Sequence, residues 1–164
     1  MNVLIRLAVF IILGLVQVLI LNHIHIWNCM TPLLNVYFVL TFNRNSPKWA
    51  TLLWSFALGL CIDIFSNTPG VAAAAMTLAA VLQPYILNLF IQRDNEEDIS
   101  PSIKSLGFTR YLYYALIMVL IYCTCFLTLE TVTFFDWQLW LLNIGGSMVL
   151  TMALILAVDN LRKD

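Results

Sequence analysis

The chain has 164 residues and a net charge of −1; 62% of it is hydrophobic and only 10% charged, at a mean hydropathy of +0.90. A soluble domain carries about 45–50% apolar and about 25% charged residues, so this composition expects lipid around it. The length allows a single domain, 1–164, and the charge gives no electrostatic case for binding nucleic acid.

Val3 to Leu21 is an apolar run broken only by Arg6 and Gln17, long enough to cross a bilayer. It leads into Asn22-His23-Ile24-His25-Ile26-Trp27 rather than into a small-residue cleavage site, and reads as a retained first span. Further spans are expected at Pro32–Phe42, Trp49–Phe65, Pro69–Ile91, Thr109–Leu129 and Trp137–Val158. The second is short: its residues rise about 16 Å as a helix, so it borrows flanking residues, sits in thinned bilayer or is re-entrant. Thr31-Pro32, Ser46-Pro47 and Thr68-Pro69 each offer a hydroxyl for the N-cap and a proline for the first helical position, and Thr109 and Asp136 can cap the last two helices.

With the N-terminus cytoplasmic and six spans alternating, all eight basic residues fall on the cytoplasmic side: Arg6, Arg44, Lys48, Arg93, Lys104, Arg110, Arg162 and Lys163. The expected architecture is thus an all-α integral membrane protein of six transmembrane helices with both termini cytoplasmic. Trp27, Phe134, Phe135, Trp137 and Trp140 read as the outer aromatic belt, and Trp49, Tyr111, Tyr113 and Tyr114 as the inner one. The polar connection Gln92–Gly107 carries Asp94, Glu96, Glu97 and Asp98; Ser100-Pro101 is placed to start a short interfacial turn that Gly107 ends.

Polar groups in lipid are costly and are candidates for function. Asp63 is the one acid read inside a span. Its companions are the neutral Gln17, Asn35, Thr41, Thr51, Ser55, Thr77, Gln83, Asn88, Thr124, Thr128, Asn143, Ser147 and Thr151. A proton relay or acid-base pair lacks its partner, and neither Ser55 nor Ser147 has a histidine base in its segment. His23 and His25 have only Asn28 and Cys29 near them in sequence, short of a metal set. Cys29, Cys61, Cys123 and Cys125 show no CxxC spacing and read as small packing residues. The expectation is a protein with no catalytic residues, metal or cofactor.

What the spans do contain suits packing. Asn143, Ser147 and Thr151 form a stripe on the last helix beside Gly146, Ala153 and Ala157. Ala72, Ala73, Ala74, Ala75, Ala79 and Ala80 let a neighbouring backbone approach the fourth span, either from this chain or from a partner. Pro84 removes a donor within that helix, and Gln83 is placed to satisfy the freed carbonyl.

Gly59-x-x-x-Asp63 followed by Ser66-Asn67-Thr68-Pro69-Gly70 and the alanine-rich helix resembles the helix hairpin of the MreD family, the bacterial rod-shape-determining membrane proteins. Chain length, the short second span and internal termini are similar throughout, although the family pattern more often separates the proline from the glycine. The resemblance implies a non-enzymatic, multi-pass subunit of the cell-elongation machinery in the bacterial cytoplasmic membrane, serving cell shape and peptidoglycan synthesis. It also implies partners: a bitopic MreC-like protein, a RodA-type polymerase with its transpeptidase, and the MreB filament. The family fold is similar to the substrate-binding component of energy-coupling-factor vitamin transporters, which makes binding of a vitamin-type small molecule the alternative function. Asp63 itself is expected near the outer interface, where, with Asn67 and Thr68, it caps the free amides that open the next helix.

Overall fold

The computed structural model describes residues 3–20, 33–43, 46–91, 101–130 and 137–161. These residues form seven helices and no strands: α1 (Val3–Leu19), α2 (Val36–Leu40), α3 (Lys48–Ser66), α4 (Val71–Phe90), α5 (Ile103–Leu106), α6 (Phe108–Glu130) and α7 (Trp137–Leu161). Four of them, α3, α4, α6 and α7, are long and apolar enough to cross a membrane. α1 is a shorter apolar helix, whose 17 residues rise about 25 Å. Large apolar side chains remain exposed along all of these helices, among them Leu4, Leu7, Ile11, Leu53, Leu89, Leu142 and Val149. Such a continuous apolar exterior suits lipid rather than water.

Of the expected spans, 32–42 departs most from a regular membrane helix. It is not a membrane-length helix but a five-residue helix inside the bundle, with every described residue from Leu33 to Phe42 buried. Val36, Phe38 and Val39 have no exposed surface, because α1, α3, α4 and α6 all pack around α2. Continuous hydrophobicity in this segment therefore reports a core element. A segment buried on every side needs no polar face.

α3 and α4 form the closest pair, and α6 then packs on α4 and α7 on α6. The inner face of α6 carries Tyr111, Tyr114, Met118 and Tyr122, spaced at helical intervals and fully covered. Tyr111 and Tyr114 are thus core residues rather than interfacial anchors, whereas Trp49, Tyr113 and Trp137 are exposed. α7 touches the bundle through a narrow stripe of Ser147, Thr151, Ile155 and Asp159, four residues apart. Three of the four are polar, so this helix is apolar outside and polar inside, the reverse of a surface helix in water.

Helix starts also depart from the hydroxyl-proline expectation. Pro47 is extended (φ −61°, ψ 127°) and is itself the N-cap of α3, while the Ser46 hydroxyl accepts from Arg6 Nη2 at 3.1 Å. Thr109 lies within α6, which begins at Phe108. α5 is capped by Ser102, whose Oγ accepts from the Ser105 amide while Ser105 Oγ accepts from the Ser102 amide. Thr31, Pro32 and Asp136 lie outside the described residues, as do His23, His25, Asn28, Cys29, Trp27, Phe134, Phe135, Ser100, Arg44, Arg93, Arg162, Lys163 and the four acids from Asp94 to Asp98. Among the described cysteines, Cys123 is buried and Cys61 and Cys125 are half-buried, all as free thiols.

Candidate functional site: the Asp63 hairpin and the buried polar clasps

α3 ends in a left-handed residue, Asn67 (φ 56°), whose amide donates to the Asp63 carbonyl; the Thr68 amide donates to the same oxygen at 3.2 Å. Asparagine tolerates this conformation better than most residues, which is why the helix stops there. Pro69 and Gly70 then turn the chain. Gly70 has φ 83° and caps α4, so that helix begins at Val71, two residues beyond the proline. Proline followed by a positive-φ glycine is the pairing a type II turn demands.

The turn carries the start of α4 back over the Asp63 side chain. Oδ1 accepts from the Ala72 amide at 2.8 Å and Oδ2 from the Ala73 amide at 2.9 Å; the Thr68 hydroxyl donates to Oδ1 at 3.1 Å. A carboxylate that is only 4% exposed is thus satisfied on both oxygens. It occupies the positive end of α4, where a negative charge is favourable and where the first amides have no helical partner.

Gly59 lies one turn before Asp63 on the same face. A Cβ built there would stand 2.5 Å from Ala73 Cα and 2.8 Å from the Ala72 carbonyl oxygen. Only a residue without a side chain lets the α4 backbone come this close. Gly59 and Asp63 are therefore two parts of one device: the first permits the approach, and the second bonds the amides that arrive.

The other residues singled out in the spans are used as follows. Ala72, Ala75 and Ala79 have no exposed surface, so that ridge is occupied by the chain's own helices. Ser147 and Thr151 are equally buried, whereas Asn143 and Gly146 are half-buried. Thr151 Oγ1 accepts from the Leu33 amide at 3.0 Å and Gln17 Oε1 accepts from the Leu34 amide at 2.9 Å, so α7 and α1 together cap the entrance to α2. Asn35 Nδ2 donates to Tyr122 Oη at 2.6 Å. At the far end of α2, Gln83 Nε2 donates to the Phe42 carbonyl (3.1 Å) and to Tyr114 Oη (3.3 Å). Gln83 thus serves α2 and α6, not the carbonyl freed by Pro84 in its own helix, because its side chain points inward.

Asp159 escapes the sequence reading. It sits one residue past the expected end of the last span, yet it is only 4% exposed. Oδ1 accepts from the Tyr37 hydroxyl at 3.3 Å and Oδ2 from the Ile103 amide at 3.1 Å, tying α2 and α5 to the end of α7. Its signal was an acid adjoining an apolar run, the pattern that drew attention to Asp63. Among the described residues no three His, Cys, Asp or Glu side chains cluster as a metal site.

Comparison with protein-family models, with curated proteins and with solved structures finds no match.

Proposed function

We propose that the chain is a non-enzymatic scaffold subunit of a bacterial cell-elongation complex, of the MreD type. The observation that carries this reading is the hairpin. Gly59, Asp63, Asn67, Thr68 and Gly70, five of the residues on which the resemblance rests, each have a defined mechanical task in a single turn. A motif whose members all fix the relative position of two helices suits a protein whose task is to hold others in register.

In this reading the chain crosses the cytoplasmic membrane six times, the short segment around α2 crossing inside the bundle where its neighbours shield it from lipid, and both termini face the cytoplasm. Support comes from the described basic residues. Arg6 bonds to Ser46 two residues before Lys48, and Ile103, next to Lys104, bonds to Asp159 at the end of α7. Arg110 opens α6 just beyond, so these charges gather at one end of the bundle, as the positive-inside rule expects.

Partners are then a bitopic MreC-like protein, a RodA-type polymerase with its transpeptidase, and, directly or through them, the MreB filament. The test is depletion of the chain in a rod-shaped host, together with capture of the tagged protein from mild detergent. Rounded cells and recovery of the MreC-like protein are expected. Cells that stay rod-shaped, with no MreC-like protein recovered, overturn the proposal; saturable binding of a vitamin by the purified chain supports the transporter alternative instead.

A further inference from the structure

We propose that the cavity between the start of α3 and the Pro84 turn of α4 binds the headgroup of an anionic, hydroxyl-bearing phospholipid of the phosphatidylglycerol class. This goes beyond the scaffold reading and requires only that the chain lies in a bilayer. The cavity has a volume of about 130 Å³, and its polar lining comes from Asn43, Ser46, Lys48, Thr51, Gln83 and Tyr85. The two cavities beside α1, by contrast, are walled almost entirely by aliphatic and aromatic side chains.

Charge argues for an anion. Lys48 Nζ lies 5.4 Å from the centre of the Tyr85 ring, and the Arg6 guanidinium lies 5.1 Å from that of Phe42 while donating to Ser46 Oγ on the cavity wall. Among the described residues neither cation has a carboxylate partner, and no acid lines the cavity. Pro47 supplies no side-chain cap, so the first amides of α3 add the positive end of a helix to the same corner. A phosphodiester answers Lys48 and the helix end, beside the Ser46 hydroxyl that Arg6 holds.

Neutral chemistry argues for hydroxyls on that headgroup. Pro84 lacks the N–H that would bond the Ala80 carbonyl, and both residues line the cavity. A glycerol headgroup brings hydroxyl donors for such an acceptor. Leu52 and Val81 complete the wall, and Val81 and Tyr85 are also exposed at the surface, where an acyl chain would lie against them. A zwitterionic choline lipid would set its ammonium against Lys48 and has no hydroxyl to donate.

The test is native mass spectrometry and thermal unfolding of the purified full chain in detergent, with phosphatidylglycerol, phosphatidylcholine or inorganic phosphate added. Phosphatidylglycerol is expected to be retained and to raise the unfolding temperature; phosphatidylcholine and phosphate are not. Lys48 is exposed, so Lys48→Gln keeps the fold and weakens phosphatidylglycerol binding about five-fold, the usual effect of one basic residue near an anionic headgroup. Val81→Trp obstructs the cavity without changing charge and is expected to weaken binding as well, while Arg110→Gln, on another exposed cation, leaves it intact. Equal retention of phosphatidylcholine, an equal effect of phosphate alone, no effect of Val81→Trp, or a loss in Arg110→Gln matching that in Lys48→Gln each overturns the proposal.

Discussion

Replacing Gly59 with alanine tests whether the hairpin depends on close backbone approach. The new Cβ would meet Ala73 Cα at 2.5 Å, against an ordinary carbon–carbon contact of about 3.5–4.0 Å, so the α3 and α4 backbones must part by about 1 Å. The same movement stretches the Asp63 bonds to Ala72 and Ala73, now 2.8 and 2.9 Å, past hydrogen-bonding range. Bonds to a charged group contribute about 1.5–3 kcal/mol each, and partial relaxation leaves an expected loss of about 3 kcal/mol. Intrinsic helix preference works in the opposite direction, favouring alanine by about 1 kcal/mol, so a loss can only come from crowding. Equilibrium unfolding in mixed detergent micelles, followed by far-ultraviolet circular dichroism, measures the change. Asp63→Ala removes the same bonds, so the double variant should lose about 2 kcal/mol less than the sum of the single variants. Stability of Gly59→Ala within about 0.5 kcal/mol of the parent, or strict additivity, would refute the coupling.

Asp63→Asn keeps one acceptor for the α4 amides and should cost about 1 kcal/mol, whereas Asp63→Leu strands both and should cost about 3 kcal/mol in the same unfolding assay. Gly70→Ala meets no neighbouring atom but must hold φ near 83°, so its expected cost is about 1 kcal/mol, with no change in the spacing of α3 and α4 reported by a spin-label pair. Asp159→Ala releases the Ile103 amide, which should exchange its hydrogen markedly faster while amides within α4 keep their protection; unchanged exchange at Ile103 would show that α5 is held by other contacts.

Two kinds of information separate what the sequence disclosed from what it concealed. The long helices were legible because each is an unbroken apolar run of membrane length, and the Asp63 cap because a carboxylate a few residues before a proline-glycine turn has free amides within reach. α2 was not, since an apolar segment facing lipid and one enclosed by neighbouring helices have the same composition; only its length hinted at the difference. Tyr111 and Tyr114 misled for a related reason: a tyrosine near a helix end suits an interface, but it suits a buried core equally well, and the Tyr114 oxygen there accepts from the Gln83 amide. Hydroxyl-proline pairs located the breaks between helices, yet the helices opened later than the pairs suggested, because Pro47 and Gly70 took the capping positions.

The clasps on α2 impose an order on assembly. Leu33 and Thr151 are 118 residues apart and Tyr37 and Asp159 are 122 apart, so these partners of the α2 segment are encoded far downstream, in α7. During synthesis, which proceeds from the N-terminus, α1 through α6 emerge before the threonine and aspartate that complete the fold. Until then, the amide of Leu33 lacks the threonine oxygen that it bonds in the finished fold. Closure of the molecule is therefore a long-range event, and a nascent chain halted before α7 holds its second segment only through α1, α3, α4 and α6.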